Sequence, residues 1–238
     1  FHTWQEWLLA TESDLVVPVT VLDPGPDRPA LWHFDEAGRT AGLERGGWLA
    51  TTIGHLDRGG PQACLVAPDL RGRGETAMAL RPFEAVSWGA PDRFAAYVGA
   101  ALGDAPEAMR LRDAWQLARA LPPRARTVLS ATGASGPVAL HLAALLPGRF
   151  AAVVLRDTPA SYASLLDTDE LAWPHDLILP GVLRHYDLPE LAAAAGCPVH
   201  WLDPRDGARR PATNPPAGTR RLVSAEEHIA LIRELLFG

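Results

Sequence analysis

The 238-residue chain contains no lysine, and all 22 of its basic side chains are arginine. That excludes chemistry needing a lysine amine. A Walker-type phosphate loop has no Lys to set on the phosphates, and a Schiff-base enzyme has no nucleophilic amine. Cysteine is scarce too, with only Cys64 and Cys197. Each lies beside an apolar, strand-like run, which reads as a buried free thiol rather than a disulfide or redox pair. With no CxxC and no Cys/His cluster at ligand spacing, no metal or other cofactor is expected. No apolar run approaches the roughly 18 residues of a membrane span. No signal-like leader opens the sequence, as expected of a soluble processed chain or of a domain within a longer protein. The net charge is −6, with no basic stripe, so neither nucleic acid nor an anionic membrane is expected as a partner.

What is present is a succession of short apolar runs separated by helix-like stretches. Val16–Leu22, Ala30–Phe34, Ala63–Pro68, Thr127–Ala131, Phe150–Leu155, Pro198–Leu202 and Arg221–Val223 read as strands. Gly42–Leu56, Pro106–Leu121, Val138–Leu146 and Ala225–Leu236 read as helices, the second stopped by Pro122-Pro123 and the third by Pro147-Gly148. Alternation of this kind predicts an α/β fold, a mostly parallel sheet with helices on both faces. No polar linker divides the chain, so residues 1–238 are expected to form one domain, with 157–196 as a helical cap segment. In such sheets the functional groups gather beyond the carboxyl ends of the strands.

Three of those turns carry a family likeness. Val66-Ala67-Pro68-Asp69-Leu70-Arg71-Gly72-Arg73-Gly74 has a strand-to-turn form with a DxRGxG core. Thr127–Leu146 has the form of a strand, a nucleophile elbow and the helix after it. Pro198–Asp206 has the form of a strand delivering an acid. Together they resemble the α/β-hydrolase superfamily. Pro180–Glu190 (PGVLRHYDLPE) narrows the likeness to acetyl-xylan-esterase-like and dienelactone-hydrolase-like proteins, in some of which a second hydrolase-like domain follows a first. The likeness covers residues 16 to 236. Asp69 and Arg71 are read as a buried structural pair in a sharp turn.

The family elbow, GxSxG, lifts a serine above the sheet on a strained turn. Two registers fit Ser130–Pro137. Matching the helix and its proline stop puts Gly133 at the nucleophile position. Matching the motif text puts Ser135 there, with Pro137 where the last glycine belongs. Under the first register Ser135 is a capping or packing residue of the helical first turn. On the oxyanion side, the segment after Ala30–Phe34 runs Phe34-Asp35-Glu36, so two carboxylates stand where relatives place glycines. For the acid, Asp206 matches best, followed by Asp203 and Asp157. His228 falls where the resemblance places the base. His33, His141, His185 and His200 read as packing residues.

Two functions follow. One is a hydrolase-like domain with a degenerate elbow, little or no ester hydrolysis, and a scaffold, binding or accessory role beside other domains of a larger chain. The alternative is a serine carboxylic-ester hydrolase of acetyl-esterase type acting on a small or carbohydrate ester. There Ser135 attacks, His228 takes the proton and Asp206 orients the histidine. The order Ser, Asp, His along the chain supports it. A dehydrogenase reading of Thr132–Gly136 fails because that glycine turn belongs on a first strand and its Tyr-x-x-x-Lys pair needs a lysine.

Overall fold

The computed structural model describes residues 3–44, 47–57, 62–79, 89–221 and 224–238. Its strands are β1 (Thr3–Glu12), β2 (Leu15–Asp23), β3 (Ala30–Phe34), β4 (Cys64–Pro68), β5 (Thr127–Thr132), β6 (Ala152–Arg156), β7 (Val199–Leu202) and β8 (Thr219–Arg220). The helices are α1 (Arg39–Leu43), α2 (Trp48–Asp57), α3 (Pro91–Leu102), α4 (Pro106–Ala120), α5 (Gly136–Leu145), α6 (Ala163–Leu166), α7 (Leu188–Ala194) and α8 (Ala225–Phe237).

All eight strands form one sheet in the order β1-β2-β4-β3-β5-β6-β7-β8. β1 pairs antiparallel with β2, and β2 antiparallel with β4; the remaining neighbours are parallel. Every residue of β3, β4 and β5 is buried, as parallel strands covered on both faces must be. Successive side chains divide between the faces. Trp32, Leu129 and Val153 enter a core with α4, α5 and α7. Their neighbours Leu31, Val128 and Val154 enter a second core with Leu49 of α2 and Ile232 and Leu236 of α8.

Several details depart from the sequence reading. β1 and α3 had no sequence assignment. The single helix expected over Gly42–Leu56 is two, α1 and α2. The last strand is Thr219–Arg220 rather than Arg221–Val223, and residues 222 and 223 lie outside the described residues. The segment 157–196 holds only α6, α7 and two 3-10 turns, His175–Leu177 and Val182–Arg184. It packs into the first core through Trp173, Leu177 and Leu188. Cys64 and Cys197 are free thiols.

Asp69 and Arg71 are not partners. The buried Asp69 carboxylate accepts from the Arg39 N–H at 2.6 Å and the Glu75 N–H at 3.0 Å, and meets the Arg39 guanidinium at 3.4 Å. Arg71 instead grips Asp113 of α4. Asp69 thus ties the turn after β4 to the turn after β3, which fixes how the β3 turn faces the end of β5.

Candidate active site at the end of β5

β5 passes without a gap into the 3-10 turn Gly133–Ser135 and then α5. Gly133 has φ +54°, a left-handed conformation that costs an L-residue roughly 1–2 kcal/mol. Ser135 lies in the ordinary helical region (φ −87°, ψ −6°) and is buried to 3% exposure.

The space over Gly133 is filled by the carboxylate of Glu36. A Cβ built on Gly133 would stand 2.6 Å from Glu36 Oε1 and nearer still to its Cδ and Oε2. The N–H of Ala134, the next residue, donates to Glu36 Oε2 at 2.9 Å. Arg209 closes on the same carboxylate from outside, Nη1 to Oε1 at 3.0 Å and Nη2 to Oε2 at 2.9 Å. The guanidinium lies 4.1 Å from the Trp173 ring centroid, and its Nε donates to the Ala172 carbonyl. A planar fork stacked on an indole is a pre-organised carboxylate receptor. In acyl-transfer hydrolases the N–H after the nucleophile stabilises the oxyanion. In this chain the N–H of Ala134 holds a side-chain carboxylate.

The other candidates are dispersed. Phe34 is a core residue. Asp35 turns back, accepting from the Ala37 N–H at 2.9 Å and meeting His33 Nε2 at 3.3 Å. Burial works to raise its pKa, but the hydrogen bond and charge of His33 and the Ala37 N–H outweigh it and leave the carboxyl below its ordinary value. Asp206 caps its own turn, accepting from the Ala208 and Arg210 N–H groups at 2.9 and 2.8 Å. Asp157 is paired with Arg205. Asp203 takes a left-handed φ of +51° directly after β7.

His228 is fully buried and stacks on Trp48 with centroids 4.7 Å apart. Neither ring nitrogen has a hydrogen-bond partner among the described residues. Burial, with the charge of Arg156 and of His33 adding to it, pushes its pKa down to about 3. It is neutral at pH 7, and no hydrogen bond joins it to Asp206 or Ser135.

A Ser–His–Asp chain does exist one step away. Ser130 Oγ lies 3.3 Å from His33 Nδ1, whose Nε2 reaches Asp35. Ser130 is wholly buried inside β5, between β3 and β6, where no substrate carbonyl can approach, so this relay is internal structure. Among the described residues no group of three or more His, Cys, Asp or Glu side chains is placed to hold a metal.

The sequence reading placed Glu36 in the oxyanion segment but not in the elbow, and it did not single out Arg209. No local pattern marks an arginine in Gly207-Ala208-Arg209-Arg210 as the partner of a residue 173 positions earlier.

No protein-family model and no curated protein matches the chain. Solved structures do. An acetyl xylan esterase candidate from Bacteroides fragilis superposes with TM-score 0.66 at 15% identity, over 94% of this chain and 67% of that one. A puromycin-hydrolysing peptidase from Mycobacterium tuberculosis gives 0.59 at 17% identity, over 99% of this chain and 40% of that one. An α/β hydrolase from Novosphingobium aromaticivorans gives 0.58 at 18% identity, over 99% of this chain and 98% of that one. The chain has the α/β-hydrolase fold and resembles an acetyl-xylan-esterase-type structure. It spans two thirds of the first of these proteins and well under half of the second. Among the described residues no helix is long and apolar enough to cross a membrane.

Proposed function

We propose that this chain is an α/β-hydrolase-fold domain that does not hydrolyse esters and serves a binding or accessory role. One observation carries the reading: the Glu36 carboxylate stands over Gly133, on the Ala134 N–H, where a hydrolase of this fold needs a nucleophile and an empty oxyanion site. The carboxylate takes the Ala134 N–H that an oxyanion would need, and losing one such donor costs about a hundredfold to a thousandfold in rate. Losing the nucleophile leaves only the residual catalysis of binding and oxyanion contacts, itself removed when the site is filled. The unpartnered, acid-shifted His228 adds support, since a general base works best with a pKa near the operating pH.

The test is intact-mass analysis after incubation with a small fluorophosphonate, alongside hydrolysis of an acetyl ester. The expected result is no adduct on folded protein and no turnover above buffer. One phosphonyl adduct, lost in both Ser135→Ala and His228→Ala, would sink this reading. It would establish the serine-hydrolase alternative built on Ser135, Asp206 and His228, with a small or carbohydrate ester as substrate.

A further inference from the structure

Away from the elbow, a groove of about 750 Å³ runs between α3, the start of α4, the turn after β4 and the loop carrying Trp173. None of Gly133, Ala134, Ser135 and His228 lines it. Its volume falls within the range of small-molecule sites.

The walls are of two kinds. Met78, Phe94, Val98, Leu102, Met109 and Leu171 make an apolar lining, and Met78, Val98 and Leu102 remain 44%, 38% and 74% exposed. Large apolar side chains left in water along one concave surface mark a site where something binds. The polar lining is dominated by donors. Among the described residues, the guanidinium groups of Arg71, Arg73, Arg93, Arg110 and Arg209 face two carboxylates, Asp92 and Asp176. Both carboxylates are already engaged. Asp176 accepts from Arg73 and Arg110, and Asp92 accepts from the His175 N–H and meets its ring. The other carboxylate partners of these arginines stand outside the lining: Asp113 and Glu107 are buried, Glu12 meets Arg71 from β1, and Glu36 sits on the elbow side. Of the arginines in the lining, Arg93 is exposed.

A guest here meets apolar walls, a rim of positive charge with the Arg93 guanidinium exposed, and, among the described residues, no unengaged carboxylate. Among the described residues of this lining a cationic head finds no free carboxylate. A neutral hydroxyl leaves the charged donors poorly used, whereas a carboxylate takes charge-assisted hydrogen bonds from them. We propose that this groove binds an amphipathic carboxylate, its apolar body along α3 and its head on the arginine side. The inference stands on the groove alone and does not depend on whether the elbow is catalytic.

Titration calorimetry of the whole chain with dodecanoate and dodecyltrimethylammonium, below their micelle concentrations, tests it. Dodecanoate is expected to bind one per chain, at least about tenfold tighter than the cation. Two surface variants locate the site: Val98→Asp removes apolar wall and Arg93→Glu reverses the exposed head-group charge. Each is expected to weaken dodecanoate by about tenfold with the melting temperature unchanged. Equal binding of the cation, no binding of dodecanoate up to 1 mM (about −4 kcal/mol), or wild-type affinity in both variants overturns the proposal. Hydrolysis of a dodecanoate ester would contradict the elbow reading and leave this one standing.

Discussion

Replacing Gly133 by alanine forces a methyl group into the volume held by the Glu36 carboxylate, and the cost can be built up from the geometry. The left-handed φ of +54° adds about 1 kcal/mol for an L-residue. The methyl also displaces Glu36, because the added Cβ would sit 2.6 Å from Oε1. Displacement loses the bond from the Ala134 N–H and the fork of Arg209. A hydrogen bond to a charged group contributes roughly 1.5–3 kcal/mol, and the Arg209 pair, about one third exposed on both sides, adds little because solvent screens it. Gly133→Ala should therefore cost about 3 kcal/mol. Glu36→Ala loses the same contacts without backbone strain and should cost about 2 kcal/mol. In the double variant those contacts are lost only once, so the total stays near 3 kcal/mol rather than 5, a coupling of about 2 kcal/mol. Urea unfolding of the four proteins measures this directly, with midpoints compared at constant slope. Additive costs, with coupling below about 0.5 kcal/mol, would mean that Glu36 does not occupy the elbow, and the argument against catalysis would lose its basis.

Two further predictions concern buried titratable groups. His228 has a folded pKa near 3 against about 6.5 unfolded, so the unfolded chain binds the extra proton between these values. Its contribution is present above pH 6.5 and lost as pH falls, by about 2 kcal/mol at pH 5. His228→Phe keeps the stack on Trp48 and removes two unpartnered nitrogens, so it should stabilise the protein or leave it unchanged at pH 7 and weaken its acid lability by that amount. A loss of several kcal/mol at pH 7 would mean that the imidazole has partners in solution. Glu107 acts in the opposite sense, since burial raises its pKa to about 7. Its stabilising effect is complete below the unfolded value near 4.3 and is lost as pH rises through 7. Glu107→Gln should flatten that loss, worth about 3 kcal/mol by pH 8, in thermal melts from pH 5 to 8; an unchanged pH profile would refute it.

The layering of this protein was legible in the sequence because burial on both faces forces continuous apolar strands, and Ala30–Phe34, Ala63–Pro68 and Thr127–Ala131 are such runs. β1 escaped notice because it is an edge strand with an exposed outer face: Trp4 and Leu8 point to solvent and blur the polar alternation. α3 escaped notice because its apolar residues line a groove instead of a core. The split between α1 and α2 depends on a local break that helical periodicity does not record.

The elbow shows the division most clearly. The spacing of strand, turn and helix put Gly133 at the point where β5 gives way to α5, a feature of local chain geometry. Its occupant came from elsewhere: Ala134 meets Glu36 across 98 residues, and Glu36 meets Arg209 across 173. Asp35 and Glu36 are adjacent carboxylates, yet one turns back to His33 and the other enters the elbow. Residue type cannot distinguish them, because a side chain's direction is set by the backbone turn after β3, and Asp69 anchors that turn from β4. Periodicity and turn chemistry act between near neighbours and determined the layers of this fold. Which charge fills which site is a long-range contact, and only the folded chain decides it.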